Sequence, residues 1–222
     1  MKKFFIILSV AIAVIAVAFA GYRFWELNQD VAVAEIIPPG AMVKLESSDF
    51  YSELQDIRNS KQCNSLGQIF FIKELGNRFE LLDSLMGKNL LKTLLTKKTI
   101  NAVFYDTEDG AYDFLLFIPV LGQQDKTILD KVLAKTPSTT YTIEKRSLYG
   151  IEINEIKKGG NQFCFVKFRN YIVSSSSPLL IENFIRHVSE IQNWFTIRTP
   201  PAEVVAKTGK TSFTVTLYYH QL

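Results

Sequence analysis

The stretch TINAVFYDTEDGAYDFLLFIPV, from Thr99 to Val120, decides the fold class of this chain. Two runs rich in β-branched and aromatic residues flank the acidic segment TEDG, a pattern typical of two antiparallel strands joined by a turn. The later half of the second run is apolar on both faces, as in strands covered on both sides. The stretch therefore predicts a β-hairpin whose second strand lies centrally in a sheet.

The patterns on either side of this hairpin predict helices that interrupt hairpins instead of alternating with single strands. The expected strands are residues 41–47, 139–145, 150–156, 162–168, 171–175 and 211–219. The expected helices begin at Phe50 behind an Asp49 cap and then occupy 72–86, 88–98, 125–135 and 178–195. This order favours an α+β fold with a mainly antiparallel sheet and amphipathic helices packed on it.

The N-terminal segment indicates where the protein resides. Residues 4–22 form a nearly continuous apolar run, close to the roughly 20 residues that span a bilayer and longer than the 7–15 of a signal-peptide core. Tyr22, Phe24 and Trp25 are typical of an aromatic belt at the interface, and Lys2 and Lys3 orient the helix with its N-terminus inside. We expect a cytoplasmic end at 1–3 and a retained single-pass transmembrane helix at 4–22.

The alternative is cleavage, because Ala18-Phe19-Ala20 before Gly21 fits a signal-peptidase site. Either outcome predicts export of the body. Residues 23–39 are expected to be a spacer ending in Pro38-Pro39, and residues 40–222 an extracytoplasmic domain. The chain stops at Leu222 soon after a predicted strand, which favours truncation of a longer protein and leaves the oligomeric state open.

Charge gives little support for nucleic-acid binding. Apart from Lys2 and Lys3 the chain has 23 basic and 22 acidic residues, whereas nucleic-acid binders usually carry a basic stripe. The basic pairs at 97–98, 145–146 and 157–158 fall at expected element ends and turns. We interpret them as ordinary solvated charge.

The two cysteines, Cys63 and Cys164, permit one disulfide in an exported chain, but nothing in their spacing requires it. Cys164 lies inside the expected strand QFCFVKF. It is better interpreted as a small buried hydrophobic residue than as a reactive thiol.

Metal and cofactor motifs are absent from the sequence. His187 and His220 are its only histidines, and neither HxxxH nor CxxC occurs. His187 is predicted to be a surface residue. The acidic cluster of Asp106, Glu108 and Asp109 lacks the ligand spacing of a calcium loop. We therefore assign no metal, cofactor or catalytic residues.

Two further stretches suggest catalysis or phosphate binding at first sight. Gly209-Lys210-Thr211 resembles the end of a phosphate-binding loop, but Val204 stands where the signature needs glycine, and a strand follows instead of a helix. The serines at 174–177 lack the G-x-S-x-G elbow. We interpret Ser177 as the cap of a helix whose first residue is Pro178.

Several of these segments together resemble the domain of unknown function 3352 family. They are IIPPGAMVKLESSDFYSELQDIRNSK (36–61), LLDSL (81–85), DFLLFIPV (113–120), YGIEINEI (149–156) and NYIVSSSSPLLIENFI (170–185). The resemblance runs from about Ile36 to His187 and implies an uncharacterised bacterial envelope protein with an N-terminal membrane segment, often in a longer chain. The family has no assigned activity, so the resemblance transfers no catalytic residues.

The sequence thus favours a membrane-anchored envelope protein whose outer domain is non-catalytic and binds or supports another envelope component, such as an envelope protein. One alternative is an extracytoplasmic module that holds lipid or peptide in an aromatic cleft. Another is a hydrolase whose carboxylates are brought together by the fold, because such pairs leave no sequence signature. Exposed aromatics would favour the first alternative, and buried carboxylates with raised pKa values the second.

Overall fold

The computed structural model describes residues 31–59, 88–106, 112–122, 142–158, 161–193, 203–207 and 214–218, together with 14, 15, 17, 18, 21, 79, 125 and 127. The predicted helices at 72–86 and 125–135 lie outside these residues, apart from Phe79, Asp125 and Thr127. Most of the expected anchor at 4–22 also lies outside the described residues. Among the described residues, no helix is long and apolar enough to cross a bilayer.

The described residues form four helices and nine strands. The helices are α1 (Val33–Ile36), α2 (Phe50–Asn59), α3 (Lys88–Leu95) and α4 (Pro178–Asn193). The strands are β1 (Ala41–Ser47), β2 (Ile100–Asp106), β3 (Tyr112–Pro119), β4 (Thr142–Leu148), β5 (Ile151–Lys158), β6 (Asn161–Phe168), β7 (Tyr171–Ser175), β8 (Glu203–Lys207) and β9 (Thr214–Tyr218).

All nine strands belong to one sheet in the order β4-β5-β6-β7-β3-β2-β1-β9-β8, and every adjacent pair is antiparallel. The predicted hairpin is present, with Val103 opposite Leu115 and Phe104 opposite Phe114. Its second strand, β3, lies at the centre between β2 and β7. The mainly antiparallel α+β fold is therefore confirmed, whereas the preceding transmembrane helix stays a prediction.

Both faces of the sheet are covered. Because side chains alternate along a strand, Ala102 and Phe104 point into one core, while Val103 and Tyr105 point into the other. The first core contains buried residues of α2 and α3, and the second contains those of α1 and α4. This double burial explains the run of apolar residues on both faces of β3.

Helix α4 begins as the sequence predicts. The Leu180 backbone N–H donates to Ser177 Oγ at 3.4 Å, so Ser177 caps the helix and Pro178 occupies its first position. The helix packs through Phe184, which is fully buried and makes edge-on contacts with Phe117 and Phe168 at centroid distances of 5.9 and 5.6 Å.

Two local features differ from the expectations. Helix α3 ends at Leu95, because Lys97 adopts a left-handed conformation (φ 61°) that a helix cannot continue through. Lys97 and Lys98 therefore follow the helix instead of forming its last turn. Strand β8 was not predicted, since its five residues carry too short a pattern and form a strand by pairing with β9.

A third difference concerns the segment expected to be a spacer. Val31, Val33 and Ile36 are buried in the second core, and α1 packs against α4. The Tyr105 hydroxyl donates to the Pro38 carbonyl at 3.2 Å. Residues 31–38 are therefore integrated into the fold.

Candidate functional site

The serine run ends strand β7 and joins it to α4. Ser176 Oγ donates to Asp113 Oδ1 at 3.0 Å, and Ser175 Oγ lies 3.4 Å from the same oxygen. The Ser177 backbone N–H donates to Ser175 Oγ. These hydrogen bonds fix the β7–α4 connection to the neighbouring strand β3, which supports the structural interpretation of the run.

His187 was expected at the surface, and this prediction is wrong. Its exposed fraction is only 8%. The reason is that the buried face of α4 is broad, with Phe184 and Val188 on either side of the histidine. His220 lies outside the described residues, as do Glu108 and Asp109 of the acidic cluster.

The basic pairs are not uniformly solvated. Arg146 on β4 forms ion pairs with Glu155 on β5 and with Glu182 on α4, where Nη2 lies 2.7 Å from Oε1. The hydrogen bond with Glu155 raises the pKa of the Arg146 guanidinium above its usual range. Gln162 Nε2 donates to the second oxygen of Glu155 at 2.9 Å. This network attaches α4 to the β4–β5 end of the sheet.

Cys164 adjoins this network and is a free thiol with no exposed surface. Burial, followed by the charge of Glu155, raises its pKa to about 12. A thiol so far from ionisation is a poor nucleophile. The interpretation of Cys164 as a small core residue is confirmed, while Cys63 lies outside the described residues.

A recess of about 550 Å³ opens where α3 ends, next to the residues that follow β3. Its walls contain three lysines, two threonines, one carboxylate and two residues of the β3 exit: Lys92, Lys97, Lys98, Thr93, Thr96, Asp125, Leu121 and Gly122. We call this recess the lysine pocket. Its lining has a formal charge of +2, from three lysines and one aspartate.

An ion pair forms the buried part of the lysine pocket. Lys98 Nζ lies 2.6 Å from Asp125 Oδ1, and the two side chains retain only 6% and 10% of their exposure. Asp125 Oδ2 accepts the Leu121 backbone N–H at 2.8 Å. The aspartate therefore links the strand β2 entry to the β3 exit, and the interpretation of Lys98 as solvated charge is wrong.

Only a weak signal for this pocket is present in the sequence. The adjacent lysines at 97 and 98 were visible, but Lys98 is buried because its partner Asp125 comes from a segment 27 positions away. The Asp49–Lys98 backbone bridge adds a second distant contact. Neither contact has a local pattern that periodicity could reveal.

The chemistry available in the lysine pocket is that of binding anions. Lysine ammonium groups donate hydrogen bonds, as phosphate and carboxylate ligands require. Within the described ranges, no group of three histidine, cysteine, aspartate or glutamate residues is placed to hold a metal ion.

No family model, curated protein or solved structure matches the chain. The resemblance to the domain of unknown function 3352 family therefore stays a prediction based on the segments quoted above.

Proposed function

We propose that this protein is a single-pass, membrane-anchored envelope protein with its N-terminus inside and its sheet domain outside the cytoplasm. The domain acts without catalysis by binding another envelope component. The observation that carries the binding role is the lysine pocket, an open cationic recess built on a sheet whose two faces are already occupied by core packing.

The proposed anchor is supported by the described part of the N-terminal segment. Val14, Ile15 and Val17 lie in helical conformation and expose 62%, 68% and 73% of their surfaces. Exposed apolar side chains clustered on a helix cost free energy in water, and a bilayer removes this cost.

The two alternatives have less support. Large aromatic residues that an apolar ligand cleft would use, such as Phe104, Phe114 and Phe117, are buried in the two cores. The buried carboxylates Glu155 and Asp125 are paired with cations and not with each other. A carboxylate hydrolase needs two acidic groups acting on one substrate bond.

The anchor is tested by fractionating cells that express the full chain and by determining the mature N-terminus. We expect the protein in the membrane fraction, resistant to alkaline carbonate extraction, with residues 1–20 retained. Recovery of a soluble form beginning at Gly21 would replace the anchor with a cleaved signal.

The binding role is tested by in-cell crosslinking of the full chain, followed by affinity purification. We expect one envelope component to be enriched over a matched control in which residues 1–30 anchor an unrelated domain at equal abundance. A second chain, in which residues 31–222 are exported on an unrelated membrane anchor, should recover the same component if the domain itself binds. Enrichment of no envelope component by either chain would contradict the proposal.

A further inference from the structure

We infer that the lysine pocket binds a phosphate group, carried by a small anion or by a lipid head group. This inference rests on the proposed function, since it names the class of component that the domain recognises. It depends on three observations: a buried ammonium with free donors, two exposed lysines at the mouth, and an unusual backbone conformation at one of them.

The buried ammonium is Lys98. An ammonium group has three N–H donors, and the contact with Asp125 Oδ1 uses only one of them. No other acceptor among the described residues hydrogen-bonds to Lys98 Nζ. Both oxygens of Asp125 already have a partner, because its second oxygen accepts the Leu121 N–H. A desolvated cation with unused donors favours an incoming anionic oxygen.

The mouth of the pocket adds uncompensated positive charge. Lys92 and Lys97 are exposed, and no ion pair joins either to an acidic residue within the described part of the chain. The Thr96 backbone N–H and hydroxyl both donate to the Lys92 carbonyl, at 2.9 and 2.7 Å, so the Thr96 hydroxyl is engaged with the end of helix α3. The pocket therefore combines one buried and two exposed cations.

The third observation is the left-handed backbone at Lys97. Helices usually place glycine at this position, because a side chain is strained there. Lysine supplies a charge at the pocket mouth that glycine would lack. Stability alone favours glycine at this position, so a lysine is explained if its charge serves to bind an anion.

The size of the pocket indicates more than a bare ion. A volume of about 550 Å³ lies within the range of about 300–1,000 Å³ typical of small-molecule sites. Leu121 at the rim is 69% exposed and offers an apolar contact beside the cations. A phosphorylated polar group with an attached apolar part would use both features.

The test uses the full chain in dodecyl maltoside micelles, whose head groups carry no phosphate, and isothermal titration with inorganic phosphate, pyrophosphate and glycerol 3-phosphate. Lys92→Gln and Lys97→Gly are each expected to weaken binding by at least about threefold, the effect of one exposed charge. Lys145→Gln is the matched control, because it removes the same charge four strands from β3 and should leave affinity unchanged.

Lys97→Gly separates binding from stability. Relief of the left-handed strain should leave the free energy of unfolding equal or higher, while phosphate affinity falls. Lys98→Met is less informative alone, because it leaves Asp125 buried without its cation; the double variant Lys98→Met/Asp125→Asn removes both charges and should abolish binding.

The results also distinguish the two sources of phosphate. Tighter binding of glycerol 3-phosphate than of inorganic phosphate, and recruitment of short-chain phosphatidylglycerol that Leu121→Ser weakens, would assign a lipid head group. Equal or tighter binding of inorganic phosphate or pyrophosphate would assign a free anion.

Absence of binding by all three anions would overturn the inference, as would equal losses in Lys145→Gln and Lys92→Gln. The crosslinking experiment tests the proposed function separately. If Lys92→Gln/Lys97→Gly still captures the same envelope component, the pocket inference fails alone. If wild-type protein binds phosphate but captures nothing, the envelope-binding role fails alone.

Discussion

Cys164 shows how one residue's chemistry follows from its place in the sheet. It lies on β6 opposite Glu155 on one side and Ser175 on the other. Its thiol has no exposed surface, and burial holds its pKa near 12. Two predictions follow from this environment, one kinetic and one thermodynamic.

The kinetic prediction is that native Cys164 resists alkylation. At pH 8 iodoacetamide should modify it at less than about one-tenth of its rate in the urea-unfolded chain, because the thiolate is scarce and shielded. Mass spectrometry of the peptide containing residue 164 measures the rate. Similar rates in folded and unfolded protein would show that the thiol is accessible.

The thermodynamic prediction concerns alkaline pH. The unfolded thiol ionises near pH 9.0, whereas the folded thiol ionises near pH 12, so the unfolded state binds fewer protons between these values. The free energy of unfolding should therefore be unaffected by this group below pH 9 and fall as the pH rises toward 12. Urea titrations at pH 8, 9 and 10 should show that the free energy of unfolding declines less with pH in Cys164→Ala than in the wild-type protein. The same decline in both proteins would contradict the raised pKa of Cys164.

At the scale of elements, α4 is the principal cover of the second core. Phe184 inserts between β3 and β6 through its contacts with Phe117 and Phe168. Arg146 then attaches the solvent side of the same helix to β4 and β5. Apolar packing and an ion-pair network thus act on one helix and can be measured separately.

The packing contribution is tested by Phe184→Ala. Removing this fully buried ring should lower the free energy of unfolding by about 3–5 kcal/mol, through lost apolar burial and the cavity that remains. Urea denaturation followed by circular dichroism measures the change. Leu179→Ala on the exposed side of the same helix should change it by less than about 0.5 kcal/mol.

The ion-pair contribution is tested by Arg146→Gln. This change leaves Glu155, whose side chain is only 7% exposed, without its principal cation, and we expect a loss of about 2 kcal/mol. Gln162 and Lys157 remain near Glu155 and limit the cost. Lys145→Gln, which breaks the exposed pair with Glu152, should cost much less, because solvent screens this pair. Equal costs for the two variants would contradict the structural role of Arg146.

At the scale of the molecule, the sheet joins distant parts of the chain. Strand β1 pairs with β2 on one edge and with β9, about 170 residues later, on the other. The far edge of the sheet, β4, carries exposed charged residues that discourage pairing with another chain. Strand β1 alternates Val43 and Leu45 with the charged Lys44 and Glu46, and β9 covers the edge of β1 that faces away from β2.

Deleting residues 194–222 should therefore expose the β1 edge. We expect this variant to self-associate, because unpaired N–H and C=O groups beside apolar side chains recruit other strands. Light scattering in detergent measures the effect, with deletion of residues 219–222 alone as the control. If the truncated chain keeps the oligomeric state and the thermal stability of the full chain, the pairing of β9 with β1 is contradicted.

The sequence by itself determined the features with a local pattern. The period-two runs around TEDG predicted β2 and β3, and the serine–proline boundary predicted where α4 begins. These predictions succeeded because backbone geometry imposes its period on neighbouring residues, and capping involves only the next three or four positions.

Only the tertiary structure decided the features that join distant residues. The pairing of Lys98 with Asp125, the contact of Arg146 with Glu182 and the place of β9 beside β1 have no local signature. Many strand orders satisfy the same alternation, and a surface lysine looks like a buried one until its partner is known. The lysine pocket is created by these long-range contacts, which is why the sequence could predict the sheet but not its candidate site.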